Sequence, residues 1–583
     1  MQPRHPLLLV LLASAVTLAV GFWPTPFWDE DEPRFAAIAR AMLDTGDWVV
    51  PEYNDALAVD KPVLMHWCMA ACFGLFGTSE IAARLPAAAA TLLAALALLR
   101  AGTRWFSPLA GVLAALAYVG CLLVAVESHA ATPDAILTAL TTWATVLGAE
   151  AWLPGAGAGA SAGGRLTIRR AALVGGLMGL AVLCKGPIGF VGPLAVVLPW
   201  AWGISLQRRL ATPTDRNLGG LVRAACAAVL ETLRATRVVT LTLAMLAVAA
   251  PWYVAVGVRT AGAWPAGFFL IHNVGRFAAP MEKHGGGLLY HPLGLLVGFY
   301  PWSCFLPLAI VLAAWRLRHR SVGRDAAGAF SLALVWLAVW VGGFSAAATK
   351  LPNYVMPAYP AAALLVAALA ADAAGRAAWP HPGWLASGLG WLAFGGLATS
   401  AVVITAGFFG LPGAAPAAVV GIVPVAGAIA CLVTVRRGRL APIAIFAATA
   451  LVFTALAVGP AGGWLARANT LPAFVGEAHR LAGGRARIGA FGRNSPTIVY
   501  YAAGHVQEWR ADAAADAGAF LATGPDAVVI VPEPEYAALA AHLPATCGIV
   551  GRTRPLFQKH DALLVGTHVL SADRAATSGN LTR

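Results

Sequence analysis

Asp29-Glu30-Asp31-Glu32 packs four carboxylates between Trp28 and Pro33, and Arg34 lies close enough to pair with one of them in the following turn. Such a run often marks a solvated loop or a helix N-terminus complementing the dipole. The flanking Trp28, Pro33 and Phe35 point instead to partial burial at an interface. Asp60-Lys61-Pro62 sets an anion and a cation at a helix start, where Pro suits the first turn. Glu127, His129 and Asp134 form another polar knot, and His272 and Arg276, four residues apart, share one face of a helix. Thr349-Lys350-Leu351-Pro352-Asn353-Tyr354 adds a cation and a phenol. The inventory is therefore carboxylates (Asp31, Glu32, Asp60, Asp134), cations (Lys61, Arg276, Lys350) and a phenol (Tyr354). That set suits a phosphate ester: cations and Tyr hold the phosphate, while carboxylates hold an amine, a hydroxyl or a metal.

The elements that position these groups must be membrane helices. The chain has 583 residues, 59% of them hydrophobic and only 11% charged, whereas an average soluble domain is about 25% charged. A mean hydropathy of +0.72 over the whole length excludes a soluble enzyme, a secreted disulfide scaffold and a disordered chain. With about 20 apolar residues needed per crossing, runs near 7–23, 84–100, 107–126, 134–153, 171–186, 189–206 and 238–258 qualify. Further runs lie near 291–314, 327–345, 355–371, 384–408, 415–435 and 440–460, which gives thirteen spans. The eight cysteines show no metal spacing and read as small apolar residues.

The net charge of +13 is a topological signal and not a nucleic-acid footprint. Alternate connections hold twenty basic residues against five acidic ones, which puts them and the N-terminus in the cytoplasm. An odd span count then leaves the C-terminal segment outside. Only five of the 40 basic residues are Lys. Lys61, Lys185, Lys283 and Lys350 fall on or beside the outer face, where a compact ammonium has a use. The first outer loop, 24–83, carries two segments expected to lie in the membrane interface. One is amphipathic through Phe35, Ile38, Ala39, Met42 and Leu43, and the other runs from Lys61 to Phe76. The loop near 259–290 adds Trp264, Phe268, His272, Arg276, Lys283 and His284.

Beyond residue 465 the pattern changes. Ala486–Phe491, Ala527–Val531 and Ala562–Val565 read as strands; Pro496–Ala503, Asp512–Leu521 and Tyr536–His542 read as helices. The expected architecture is an α-helical polytopic membrane protein, with a membrane domain over 1–464 and a small α/β domain over 465–583.

Several of these segments, in order, resemble the membrane glycosyltransferases that use polyprenyl-phosphate sugars, the superfamily of aminoarabinose (lipid A) transferases and protein O-mannosyltransferases. The resemblance rests on Asp31-Glu32-Pro33-Arg34-Phe35, Asp60-Lys61-Pro62, Ala83-Arg84-Leu85-Pro86 and Lys185-Gly186-Pro187. It extends through His272-Asn273-Val274-Gly275-Arg276-Phe277 and Lys350-Leu351-Pro352-Asn353-Tyr354. It implies a GT-C fold, location in a bacterial inner membrane with the C-terminal domain periplasmic, and transfer of a sugar from a polyprenyl-phosphate carrier, with inversion. The acceptor would be a lipid A-like glycolipid, another glycoconjugate or a protein. By resemblance Asp31 matches the essential first-loop aspartate, with Glu32 beside it and Asp134 as the acidic residue of the second outer loop. Lys61, Arg276 and Tyr354, helped by Lys350 and Arg34, match the donor-phosphate site. Asp60 and His272 sit where that family's aminoarabinose branch binds a zinc ion, although Asp replaces the usual Glu and shortens the ligand by one methylene. The alternatives are a flippase of lipid-linked sugars or a non-catalytic homologue. A transporter calls for ionisable residues within its spans, and these span interiors lack them apart from edge residues.

Overall fold

The computed structural model describes residues 5–21, 25–27, 31–153, 164–211, 217–279, 285–375, 382–409, 411, 414–484, 486–492, 495–556 and 558–567. Asp29, Glu30, Lys283 and His284, singled out above, lie outside the described residues.

Among the described residues, eight helices are long and apolar enough to cross a membrane. Two bent pairs, Pro108–Val119 with Leu122–Ser128 and Tyr290–Gly298 with Trp302–Arg318, would raise the number to ten. The other three of the thirteen apolar runs also form helices, Pro6–Gly21, Asp134–Ala149 and Ile168–Lys185, but shorter or less apolar ones. The chain is thus a multi-pass helical membrane protein.

Local sequence accounts for where helices begin. Ser79 and Ser107 cap the starts of Glu80–Trp105 and Pro108–Val119, accepting from the backbone N–H of Ala82 and Ala110. These two helices cross at Gly102 and Gly111, where a Cβ on Gly102 would come within 2.7 Å of the Gly111 Cα. Small residues at such a crossing let backbones approach and gain dispersion energy where lipid offers no hydrophobic drive.

One helix was not anticipated. Leu218–Thr236 occupies an arginine-rich connection, caps itself with Asn217, and turns Gly220, Ala224, Ala228 and Thr232 inward. Leu221, Val222, Val229 and Leu230 remain exposed on its other side. Six arginines in that connection masked its period of four.

Both helices expected in the first loop form, as Asp31–Thr45 and Leu64–Phe76. Phe35, Ile38, Ala39 and Met42 are buried, as the amphipathic pattern required. Between them a hairpin pairs β1 (Glu52–Tyr53) with β2 (Ala56–Leu57). Its two turn residues, Asn54 and Asp55, both have positive φ, a conformation Asn and Asp tolerate better than most side chains.

The C-terminal part builds a five-stranded sheet from β3 (Arg487–Phe491), β4 (Gln507–Trp509), β5 (Ala527–Pro532), β6 (Cys547–Thr553) and β7 (Ala562–Thr567). Their order is β4-β3-β5-β7-β6, parallel from β4 to β5 and antiparallel beyond. The three strands read from sequence are the buried centre. The two it missed are edges: β4 is short and mostly exposed, and β6 is broken by an irregularity between Ile549 and Gly551. Edge strands lack the two-sided burial that gives a continuous apolar run.

Candidate active site

The site gathers where the first loop meets the ends of several membrane helices. Asp31 opens the loop helix, and its exposed carboxylate has no hydrogen bond or ion pair among the described residues. Desolvation by the surrounding protein pushes its pKa up; Lys61 opposes this, Asp60 and Asp134 add to it, and Arg34 opposes it again. Three carboxylates and two cations therefore share one electrostatic neighbourhood.

The other carboxylates are already engaged. Asp60 is bridged by Arg34 at 3.3 Å. Burial works against its ionisation, but Lys61 and Arg34 prevail and hold its pKa low. Asp134 begins its own helix and accepts from Lys185 Nζ at 2.5 Å and from Asn353 Nδ2 at 3.2 Å. Lys185 also lies 5.0 Å from the Tyr354 ring, and the Tyr354 hydroxyl accepts from Arg276 at 3.1 Å. A relay thus runs Asp134–Lys185–Tyr354–Arg276 across four separate segments of the chain. Lys61 makes no ion pair among the described residues and lies over the Phe35 ring at 5.9 Å.

Backbone geometry fixes these positions. Gly186 ends the Lys185 helix with φ +78°, and a Cβ there would meet Phe268 Cζ at 2.5 Å. That contact seats the Lys185 helix end against Gly267–Gly275, which is a π-helix and not the α-helix assumed from spacing. The Asn273 side chain donates to the Phe268 carbonyl five residues back at 2.8 Å. Such widened turns recur at functional sites. Thr349 and Ala348 then donate backbone N–H groups to the carbonyls of Arg276 and Phe277, which aligns Arg276 with the Tyr354 segment.

Two expected site residues have other duties. Glu32 is fully buried, bonded by Arg84 at 2.8 and 3.0 Å and by the Ala131 N–H at 2.9 Å. It faces away from the open side of Asp31 and ties the loop to the segment leading into Asp134. Lys350 is also buried, its ammonium donating to the carbonyls of Phe344, Ser345 and Ala347. All three of its donors are spent on the end of helix Arg324–Ala346, so it is a helix cap and not a phosphate ligand.

The candidate zinc pair finds no third ligand among the described residues. Among the described residues no group of three His, Cys, Asp or Glu side chains could hold a metal, and a zinc site needs at least three protein ligands. His272 lies in the field of Asp60, and burial lowers its pKa. Its buried Nδ1 has no hydrogen-bond partner, which leaves a neutral ring nitrogen beside the site. His66, beneath Asp60, is held neutral by burial with its pKa down to about 4.

Reasoning from residue types picked out Lys185 only as one of four outer-face lysines and did not pick out Asn353 at all. Their signal was present in the Lys185-Gly186-Pro187 and Lys350-Leu351-Pro352-Asn353-Tyr354 segments.

The chain is also similar to known proteins. Residues 60–230 match the family described as dolichyl-phosphate-mannose-protein mannosyltransferase. The undecaprenyl phosphate-alpha-4-amino-4-deoxy-L-arabinose arabinosyl transferase of Edwardsiella ictaluri is 30% identical over 367 residues, covering 61% of this chain and 59% of that one. The Aeromonas hydrophila protein of the same name is 31% identical over 353 residues, covering 60% and 56%. The chain therefore spans less than two thirds of the length of these relatives. The crystal structure of ArnT from Cupriavidus metallidurans bound to undecaprenyl phosphate superposes with a TM-score of 0.74 at 22% identity, over 98% of this chain and 99% of that one. The fold is that of ArnT. The resemblance read from the motifs therefore extends to the architecture, including the C-terminal sheet.

Proposed function

We propose that the protein transfers a sugar from a polyprenyl-phosphate carrier to an acceptor at the outer face of a bacterial inner membrane. The observation that carries this reading is the contrast within the site: Asp60 and Asp134 are neutralised by Arg34 and Lys185, whereas Asp31 and Lys61 keep their ionic capacity unspent. An unspent base beside an unspent ammonium is what displacement of a phosphate leaving group requires. The similarity to arabinosyl transferases supports the same reading.

In this mechanism an acceptor hydroxyl attacks the anomeric carbon from the face opposite the phosphate. The new C–O bond forms as the bond to the phosphate oxygen breaks, so configuration inverts. The hydroxyl proton passes to the Asp31 carboxylate, and the departing polyprenyl phosphate is met by Lys61, Arg276 and the Tyr354 hydroxyl. Asp134 fixes Lys185, which in turn supports Tyr354. Asp60 and His272 are assigned to holding the donor sugar directly. The distribution of arginine argues for a cytoplasmic N-terminus and a periplasmic C-terminal α/β domain over 465–583.

The deciding experiment compares envelope glycolipids and glycoproteins by mass spectrometry in a deletion strain complemented with the wild type or with Asp31→Asn. A glycan mass restored only by the wild type supports transfer; restoration by Asp31→Asn sinks it.

A further inference from the structure

The C-terminal domain does not simply sit beside the membrane helices; it grips the first loop at two points, one through helix Pro496–Ala502 and the residue Asn469, the other through the edge of its sheet. At the first, Phe27 is fully buried and its backbone is held from both sides. Its N–H donates to the Tyr501 hydroxyl at 3.1 Å, and its carbonyl accepts from Asn469 at 3.0 Å. The Tyr501 hydroxyl donates in turn to Glu80 at 2.7 Å. The Phe27 ring packs edge-on against Tyr500 at 4.9 Å, and the Arg84 guanidinium lies over the same ring, 5.2 Å from its centre. Arg84 also donates to Thr25 and to the Pro26 carbonyl before reaching Glu32. Glu32 is the covalent neighbour of Asp31.

At the second point the turn of the β1–β2 hairpin plugs into the edge of the sheet. The Asn54 side chain donates to the Val506 carbonyl at 2.9 Å and to Glu508 at 2.7 Å, and accepts from the Val506 N–H at 2.9 Å. His505 meets Asp55 at 2.7 Å. Tyr53, in the same hairpin, lies under the Arg34 guanidinium at 5.1 Å, and Arg34 bridges Asp60. Both grips therefore end on residues adjoining the reactive carboxylates.

We propose that the C-terminal domain is a clamp for the first loop, with Tyr501 a positioning residue for transfer that acts through Phe27, Arg84 and Glu32 on Asp31. The inference rests on the transferase reading for its chemistry, but the clamp itself is a statement about the loop. The polar chain has few water-accessible links: Phe27 is 0%, Glu32 0% and Arg84 4% exposed. Hydrogen bonds and charge pairs in so dry a setting resist rearrangement, and small displacements of a reacting group are costly to rate.

The test uses the full chain in lipid nanodiscs and the variant Tyr501→Phe, which keeps the ring packing and removes the hydroxyl. Hydrogen–deuterium exchange over residues 31–45 is expected to rise about tenfold in Tyr501→Phe without change in the membrane helices. Affinity for undecaprenyl phosphate stays within about twofold, while glycan product in the complemented deletion strain falls about tenfold or more. Unaltered exchange, or a product loss matched by an equal loss of undecaprenyl phosphate affinity, overturns the proposal. Should Tyr501→Phe fold poorly, Glu80→Ala cuts the same link and Asn54→Ala cuts the second grip, with the same expected split. Product formation by Asp31→Asn would defeat the transferase reading and leave the exchange result standing.

Discussion

Lys185 and Asp134 form an ion pair at 2.5 Å in which the side chains are 14% and 5% exposed. The two residues come from different helices, and Asn353 approaches the same carboxylate from a third segment. Removing the cation alone strands a charge in a dry place. Lys185→Met is therefore expected to cost about 3–5 kcal/mol, visible as a lower melting temperature in detergent. The double variant Lys185→Met/Asp134→Asn recovers much of that stability and still makes no glycan product. A double variant that regained product would show the pair to be structural only.

Asp31→Asn should separate folding from function in the opposite direction. The pKa of Asp31 is raised in the folded state, so its protonated form is favoured there. The resulting penalty is absent below the unfolded-state pKa and complete once pH exceeds the folded-state value. A neutral amide removes it at neutral pH. The variant is expected to melt no lower than the wild type while losing about 10²–10⁴-fold in transfer rate. A clear drop in melting temperature would contradict the assigned electrostatics.

Arg34→Gln addresses the same carboxylate through pH. In the proposed mechanism the active form of Asp31 is the carboxylate, so transfer is expected to fall on the acid side as it protonates. Arg34 lowers the Asp31 pKa; without it the acid limb of the rate profile should move to higher pH. Rates on the alkaline plateau change less. A limb that stays where it is, or moves to lower pH, refutes Asp31 as the general base.

The two lysines of the expected phosphate site should behave unlike each other. Lys61→Met is expected to leave melting intact and weaken undecaprenyl phosphate binding by about 1.5–3 kcal/mol, roughly ten- to hundredfold. Lys350→Met uncaps three carbonyls and should lower stability by a similar amount, with the folded fraction binding normally. Titration of each purified variant distinguishes them.

Gly186→Ala combines a left-handed backbone with a Cβ 2.5 Å from Phe268. A loss of about 1–3 kcal/mol is expected. Because Phe268 opens the π-helix that leads to Arg276, undecaprenyl phosphate affinity should fall with it. Normal affinity at reduced stability would mean that the π-helix does not depend on this contact.

Much of the site was legible because motifs announce themselves against an apolar background. Asp31, Asp60, Lys61, Asp134, Arg276 and Tyr354 stand at helix starts or breaks, where Pro or an aromatic residue interrupts a membrane-compatible run. What the sequence withheld was pairing. Asp31 and Glu32 are adjacent and chemically alike, yet one faces the open side and the other is locked by Arg84, 52 residues away. Lys61 and Lys350 share a type and differ because three carbonyls happen to converge on the second. Those outcomes depend on long-range packing that no local pattern encodes. The fold was legible to the extent that burial is two-sided: spans and central strands emerged, whereas the edge strands and the amphipathic helix Leu218–Thr236 did not.

Tyr354 stands at the start of Pro352–Gly375, the most enclosed of the eight long apolar helices. Arg276, its partner, rides a segment whose Leu270, Ile271, Val274 and Phe277 are exposed. The two hands that meet a phosphate are thus mounted differently, one on the axle of the bundle and one on its rim. In the proposed mechanism a carrier with a long isoprenoid tail leaves sideways into lipid, and the exposed rim is the side it meets there.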